Sequence, residues 1–318
     1  MSMFQVAYPW SDAYDGSPDF NGTNTVLGLV PSSSVYTANQ NIAADTLTIR
    51  SGVRLLLRGY CIFARNLVIE AGGFISANGN DANNDVAGTG LTNSGFFGFS
   101  SGSGGNGDQT NAASTSKPGL AGGNVVNSVG GAGGTGGAAT GVGANGGTAG
   151  TAGALSVVNT RFWQSTGMPA LNWRLPSTGA GTAWVTLQGG AGGSSGGLTT
   201  TTQTGAFYLY SGGGGAGGGV LAIRCGVLNN AGTIEARGGN GGNARRSGTS
   251  IEGNAGGGGG GGGGAIHIVT DVLVNYGTIS VVGGTGGNAA QFGAVGPAAN
   301  GANGSTGTLV VFLRGQLL

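Results

Sequence analysis

Apolar and polar residues alternate with a period of two along several short stretches of this chain. In "GTIEARGG", residues 232–239, Ile234 and Ala236 fall on one side and Glu235 and Arg237 on the other. In "GTISVVGG", residues 277–284, Ile279 and Val281 oppose Ser280. Leu221 with Ile223, and Ile266 with Ile268, form a second inward-facing pair, which leaves His267 facing outward. Such alternation predicts strands with one buried face, because successive side chains of a strand point to opposite sides. The three- and four-residue segments between the runs, as in "NYG" and "NNAG", predict tight turns.

These stretches recur. Residues 220–243, "VLAIRCGVLNNAGTIEARGGNGGN", align without a gap on residues 265–288, "AIHIVTDVLVNYGTISVVGGTGGN". A third copy is "CIFARNLVIEAGGFISANGN", residues 61–80, and a partial fourth, "GTLVVFLRG", lies at residues 307–315. Repeats of this length indicate stacked supersecondary units. The pattern predicts two or three short strands per unit, stacked as a small β-sandwich or β-helix with a narrow aliphatic core. The chain then divides into an N-terminal attachment or cap region, 1–45, a first β unit, 46–80, and a glycine-rich domain, 81–318, with an insert at 155–187.

Composition changes this picture. Glycine supplies 76 of 318 residues, and only 7% of residues are charged. Disordered chains are usually polar and strongly charged, whereas 38% of this chain is hydrophobic and its net charge is +1. The glycines are concentrated in tracts between strand units, such as "GGAGGTGGA", residues 130–138, and nine consecutive glycines, residues 256–264. A flexible linker needs no fixed register, but strand units flank these tracts at a constant repeat. A collagen helix needs strict Gly-X-Y and abundant proline, and the chain has 7 prolines. A phosphate-binding loop needs a lysine after its glycines, and the sole lysine is Lys117. The remaining candidate is a three-residue helix of the polyproline II type built from glycine. It has no internal hydrogen bonds, so its backbone groups need partners on neighbouring helices. Close packing then requires edges without Cβ atoms, which Gly-Gly-X and Gly-Gly-Gly provide. The expected fold is therefore all-β, with short-strand sandwich or β-helix units and packed polyglycine II helices that are neither α nor β. The nine-glycine run would be the innermost helix.

Candidate contact residues lie where the glycine texture breaks. The insert holds Arg161, Phe162, Trp163, Trp173, Arg174 and Trp184. Trp and Arg are enriched at binding hot spots, and long inserts between rigid elements commonly carry binding loops. The same tryptophans could instead plug a local mini-core. Phe96, Phe97 and Phe99 suit an inward anchor. Tyr8, Trp10 and Tyr14, in an aromatic and acidic N-terminal stretch, are candidates for docking on another protein or for capping the first rung.

Catalytic chemistry finds little support. The three glutamates, Glu70, Glu235 and Glu252, show no pairing pattern, and Glu235 occupies an outward strand position that is filled by Ser76 and Ser280 in the other repeats. No nucleophile–base pair or zinc spacing is visible, and Cys61 and Cys225 read as small reduced core residues, with a disulfide between them as the alternative. "NDANND", residues 80–85, offers Asp81 and Asp85 oxygens to a calcium ion but lacks the spacing of a known calcium loop. No metal, cofactor or catalytic residue is expected. The near-neutral charge argues against nucleic acid as the main partner. No apolar run is long enough to cross a bilayer as a helix, and the N-terminus shows no secretory signal pattern.

The succession of "DGSPDFNGTNTV", "YTANQNIAADTLTIRSGVRLLLRGYCIFARNLVIEAGGFISANGN" and glycine tracts resembles glycine-rich tail-fibre or virion surface proteins of tailed bacteriophages. The tracts are also similar in texture to the tail-fibre-tip adhesins of T-even-like phages, which pack polyglycine II helices and bind receptors through loops. The strand-rich start and the strand units between tracts depart from that family. The resemblance implies a non-enzymatic adhesin on the virion surface, made in the host cytoplasm, with other virion proteins (fibre, tail or capsid) and a host surface protein or glycan as partners, and with a homotrimer as a candidate assembly. The alternatives are a capsid or tail decoration protein and a polysaccharide depolymerase spike.

Overall fold

The computed structural model describes residues 15–91, 101–112, 116–128, 130–139, 152–154, 189–203, 208–248, 251–292 and 297–313. The described residues are all-β, with parallel and antiparallel sheets and no helix.

Two parallel sheets face each other across one aliphatic core. The chain enters through β1 (Asp19–Phe20), β2 (Val35–Thr37), β3 (Ile42–Ile49), β4 (Arg54–Leu56), β5 (Cys61–Ile69) and β6 (Phe74–Ser76). Strands β1, β3 and β5 belong to a six-stranded sheet that continues through Val220–Asn230, Ala265–Asn275 and Thr308–Leu313. Strands β2, β4 and β6 belong to a five-stranded sheet that continues through Thr233–Glu235 and Thr278–Ser280. Strands β3, β5, Val220–Asn230 and Ala265–Asn275 of the long sheet are each followed across a tight turn by a strand of the short sheet, so the chain winds as a two-sheet solenoid whose rungs stack in sequence order. Parallel neighbours need a crossover between them, and here the facing sheet supplies it.

The repeats found in the sequence become hydrogen-bonded neighbours. Val220 pairs with Ala265, and the register runs through Val227 with Val272 to Asn230 with Asn275. The third copy pairs likewise, Ala222 with Cys61 and Ile234 with Ile75. Ile42, Ile62, Ile223 and Ile268 thereby form one inward ladder, and Leu47, Leu67 and Leu228 another, all essentially sealed from solvent. The inward parity slips once per long strand: Ala44 and Leu47 are both buried while Asp45 and Thr46 between them are not. At the N-terminal end Tyr36 and Phe20 meet edge to face, 4.8 Å between centroids. The Tyr36 hydroxyl donates to the Asn24 carbonyl at 2.7 Å and accepts from the Gly22 amide, which closes the core there. The boundary expected at residue 46 falls inside β3, and β1 and β2 are rungs of the same solenoid.

Three excursions leave the short sheet and return to the long one: residues 77–219, 236–264 and 281–307. Their described residues are glycine-rich and form rows that hydrogen-bond to one another. The nine-glycine segment lies at their centre and is fully buried. Its amides donate in strict rotation. Gly256, Gly259 and Gly262 bond to Gly197, Ser194 and Ala191; Gly257, Gly260 and Gly263 to Ala299, Ala302 and Ser305; Gly258, Gly261 and Gly264 to Gly242, Gly239 and Ala236. Its carbonyls accept with the same three-residue period, from a row at 212–218, a row at 131–137, and a third that includes Gly284 and Gly287. Six neighbouring segments thus satisfy every backbone group of the run. A Cβ at Gly261 would fall on the Ala216 carbonyl, and one at Gly259 on the Gly134 carbonyl, so the spacing admits glycine alone.

At the margins of the rows, side chains replace the missing neighbour. Asn240 Oδ1 accepts from the Thr285 amide, Asn243 from Asn288, Asn300 from Ala289 and Asn303 from Gly286, at 2.8–2.9 Å. This explains the Gly-Gly-Asn texture: two positions face neighbours and the third faces outward with an amide to spare. At the end of the rows remote from the solenoid, short antiparallel strands replace them. Ser116–Lys117, Leu198–Gln203, Ile251–Ala255 and Ala290–Phe292 form one small sheet, and Gln109–Thr110, Leu209–Tyr210 and Arg245–Arg246 another.

Candidate functional site

The expected contact residues Arg161, Phe162, Trp163, Trp173, Arg174 and Trp184 lie outside the described residues, as do Tyr8, Trp10, Tyr14, Phe96, Phe97 and Phe99. Their roots are placed. Upstream of the insert, Ala152–Ala154 pairs in parallel with Val125–Ser128. Downstream, the chain resumes at Gly189, and the Gly190 amide bonds to the Gly218 carbonyl at 2.8 Å. The insert therefore returns at the solenoid end of the rows, close to where Val220–Asn230 begins. At the N-terminus, Asp15 is tied to β3 by two hydrogen bonds with Ala43.

The structure brings together two clusters that the sequence did not single out. The first is a cleft of about 370 Å³ where the short sheet meets the rows. Arg54, Arg58 and Arg237 line it with Asn78, Asn80, Asp81, Asn240, Leu56 and Leu91. Glu235 lies at its base. The alternation that turns Glu235 away from the core is observed, but exposure does not follow: the residue is only 6% exposed. Its Oε1 accepts from Arg54 Nη1 and from Asn78 Nδ2, both at 2.7 Å. Arg54 also donates to Ser76 Oγ and stacks over Phe74 at 4.5 Å. An almost buried carboxylate needs such partners, and Arg54 is held in one position by them. Arg58 sits in the turn between Leu57 and Tyr60, closed by the Tyr60 amide on the Leu57 carbonyl. Both central residues, Arg58 and Gly59, have positive φ, 45° and 87°, which is the type I′ turn.

The second cluster lies at the far end of the rows. The Arg245 guanidinium stacks on Tyr210 at 3.9 Å and pairs with Asp85 at 2.7 Å. Arg246 stacks on Phe292 at 4.4 Å, and Tyr208 lies 6.0 Å from Tyr210. Leu198, Leu209 and Ala255 are buried beneath. Arginine on aromatic faces is the composition of contact surfaces.

Several titratable groups are spent structurally. Burial pushes the Cys61 and Cys225 thiols up to about 12, and both are buried free cysteines; thiolate chemistry is thereby suppressed. His267 turns away from the core as the alternation requires, yet desolvation pushes it down to about 4, so it is a sheltered neutral imidazole. Exposed Arg50 bridges Asp19 and Glu70 at 2.9 and 2.7 Å, which lowers the Glu70 carboxyl below its ordinary range. Asp81 and Asp85, the candidate calcium carboxylates, instead accept from the Asn240 amide and from Arg245. Among the described residues no cluster of three His, Cys, Asp or Glu is placed to hold a metal ion.

Both clusters escaped sequence reasoning because their members come from segments far apart in the chain. Arg54 and Glu235 are 181 residues apart. The one available signal was Glu235 itself, a charge at a repeat position otherwise held by serine.

Comparison with protein-family models, with curated proteins and with solved structures finds no match for this chain.

Proposed function

We propose that this chain is a non-enzymatic surface protein of a tailed-bacteriophage virion, a tail-fibre adhesin that contacts the host, and that its rows are packed polyglycine II helices. The observation that carries this reading is the nine-glycine run hydrogen-bonded in threefold rotation to six neighbours. A lattice of that kind has no use for side chains and is stiff in every lateral direction. Each nine-residue row spans about 25–30 Å at the rise of such helices. It separates the solenoid from the far-end cluster of Tyr208, Tyr210, Arg245 and Arg246. Rigid rows holding loops at both ends suit a protein whose task is presentation. The insert at 155–187, with Arg161, Phe162, Trp163, Trp173, Arg174 and Trp184, supplies one contact surface, and Tyr8, Trp10 and Tyr14 dock the chain on a virion partner.

A second reading, a decoration protein of the capsid or tail, is favoured by the last rungs of the solenoid. There Tyr276 is 84% exposed and Val272, Leu309 and Val282 are 42–49% exposed, a surface suited to a neighbouring subunit. Antibody labelling of intact virions in the electron microscope separates the two. Label at a fibre or tail tip supports the adhesin, and deletion of 155–187 should then abolish adsorption. Label spread over head or sheath supports decoration. Unlabelled virions refute both.

A further inference from the structure

We infer that the cleft between the short sheet and the rows is a binding site for an acidic saccharide. Three features of its lining converge on that class of ligand. Arg58 and Arg237 both line the cleft and are exposed, and among the described residues neither guanidinium has an ion-pair partner. Guanidinium groups bind carboxylates and phosphates through paired N–H donors. Arg54, by contrast, is committed to Glu235, Ser76 and Phe74 and acts as a fixed wall.

The amides around the arginines are half used. Asn240 Oδ1 accepts from the Thr285 amide and hydroxyl, which leaves its Nδ2 as a donor. Asn80 Nδ2 donates to Thr89, which leaves its Oδ1 as an acceptor. One donor and one acceptor flanking a cationic pair match the hydroxyls of a sugar ring beside its acidic group. Leu56 and Leu91 give the cleft apolar walls against which ring C–H groups can pack. The backbone at Gly79 and Gly238 forms part of the lining. A volume of about 370 Å³ lies within the range of small-molecule sites, about 300–1,000 Å³, and exceeds the need of a bare inorganic anion. Two carboxylates share the region: Glu235 is neutralised by Arg54, and Asp81 Oδ1 accepts the Asn240 amide.

The site is pre-built. The type I′ turn fixes the backbone of Arg58, and the Arg237 amide is bonded to Asn78 Oδ1 at 2.8 Å, so the backbone that carries the two guanidiniums needs little ordering on binding. The assignment deepens the surface-contact reading by naming a ligand class. Its test uses purified protein and is independent of where, or whether, the chain sits on a virion.

The test is calorimetric titration of the full chain with trigalacturonate, with its neutral methyl ester and with inorganic phosphate. Trigalacturonate should bind saturably, and more weakly as salt is raised. The methyl ester and phosphate should each bind at least about tenfold more weakly, since the charged hydrogen bonds or the ring contacts are lost. The double variant Arg58→Gln/Arg237→Gln should weaken trigalacturonate by at least about tenfold at unchanged Tm, because both side chains are exposed. Arg58→Lys/Arg237→Lys should recover part of the affinity. Equal binding of the ester, equal binding by the glutamine variant, or no saturable binding of trigalacturonate would overturn the assignment. Phosphate as tight as trigalacturonate would overturn its saccharide part.

Discussion

The solenoid and the glycine rows bury backbone in opposite ways. In the solenoid each strand bonds to at most two neighbours, and the remaining faces are sealed by side chains such as Ile62, Leu67, Ile223 and Ile234. In the rows the neighbours themselves are the seal: the nine-glycine run is surrounded by six segments and has no side chains to bury. One region is held by removal of apolar surface from water, the other by a dense hydrogen-bond network whose spacing around the nine-glycine run leaves no room for a Cβ. The difference shows that burial and hydrophobicity are separable. A fully buried segment can lack an apolar side chain altogether when every polar group has a partner.

Alanine breaks both regions, for opposite reasons. Gly261→Ala forces a methyl onto the Ala216 carbonyl and disturbs the bonds to Gly239 and from Gly284. Overpacking and two weakened bonds together should cost roughly 3–5 kcal/mol, read as a fall in the chemical denaturation midpoint. Leu67→Ala instead removes volume from a ladder with no exposure and should cost about 3 kcal/mol in the same assay. If alanine at 261 were neutral, the close-packed description of the rows would fail.

Acid sharpens the comparison next. His267 is neutral and desolvated in the folded protein, about 4 against its ordinary 6.5. The unfolded chain therefore binds the proton more readily between those values, so stability is intact above pH 6.5 and falls as pH drops toward 4. The loss by pH 5 should be of order 1–2 kcal/mol, and His267→Gln should flatten that part of the profile. Glu235→Gln has the smallest expected effect, about 1 kcal/mol, since Arg54 retains a neutral acceptor and partial access to water. Calorimetry tests the comparison as a whole. Rows that bury little apolar area should bring the heat capacity of unfolding below the usual 12–15 cal/mol/K per residue.

Much of the solenoid was legible in the sequence, because its repeats carry side chains that must agree. The gap-free alignment of 220–243 on 265–288 is the observed register of Val220 with Ala265 and of Ile234 with Ile279. Inward Leu221, Ile223, Ile266 and Ile268 are all in the core. The partners of each row were not legible. A glycine tract carries no side-chain pattern, so nothing in "GGGGGGGGG" distinguishes the row at 189–197 from that at 297–305. The antiparallel strands at the far end, with Arg245 on Tyr210, were hidden for the same reason. The alternation correctly turned Glu235 and His267 away from the core. It could not reveal that Arg54 and Asn78 shelter the first, because shelter on the outer face depends on rungs far apart in the chain.

The threefold rotation of bonds along the rows also sets a grammar for how the gene can change length. Adding one codon to a row shifts every later residue by one step of the three-residue bonding cycle and drives an asparagine from the margin toward a neighbour that admits only glycine. Adding three restores every partner and merely moves the far-end loops outward by one bonding period. Lineages of this protein should therefore lengthen and shorten in whole groups of three codons, while the strand rungs, locked by side-chain ladders, hold their length.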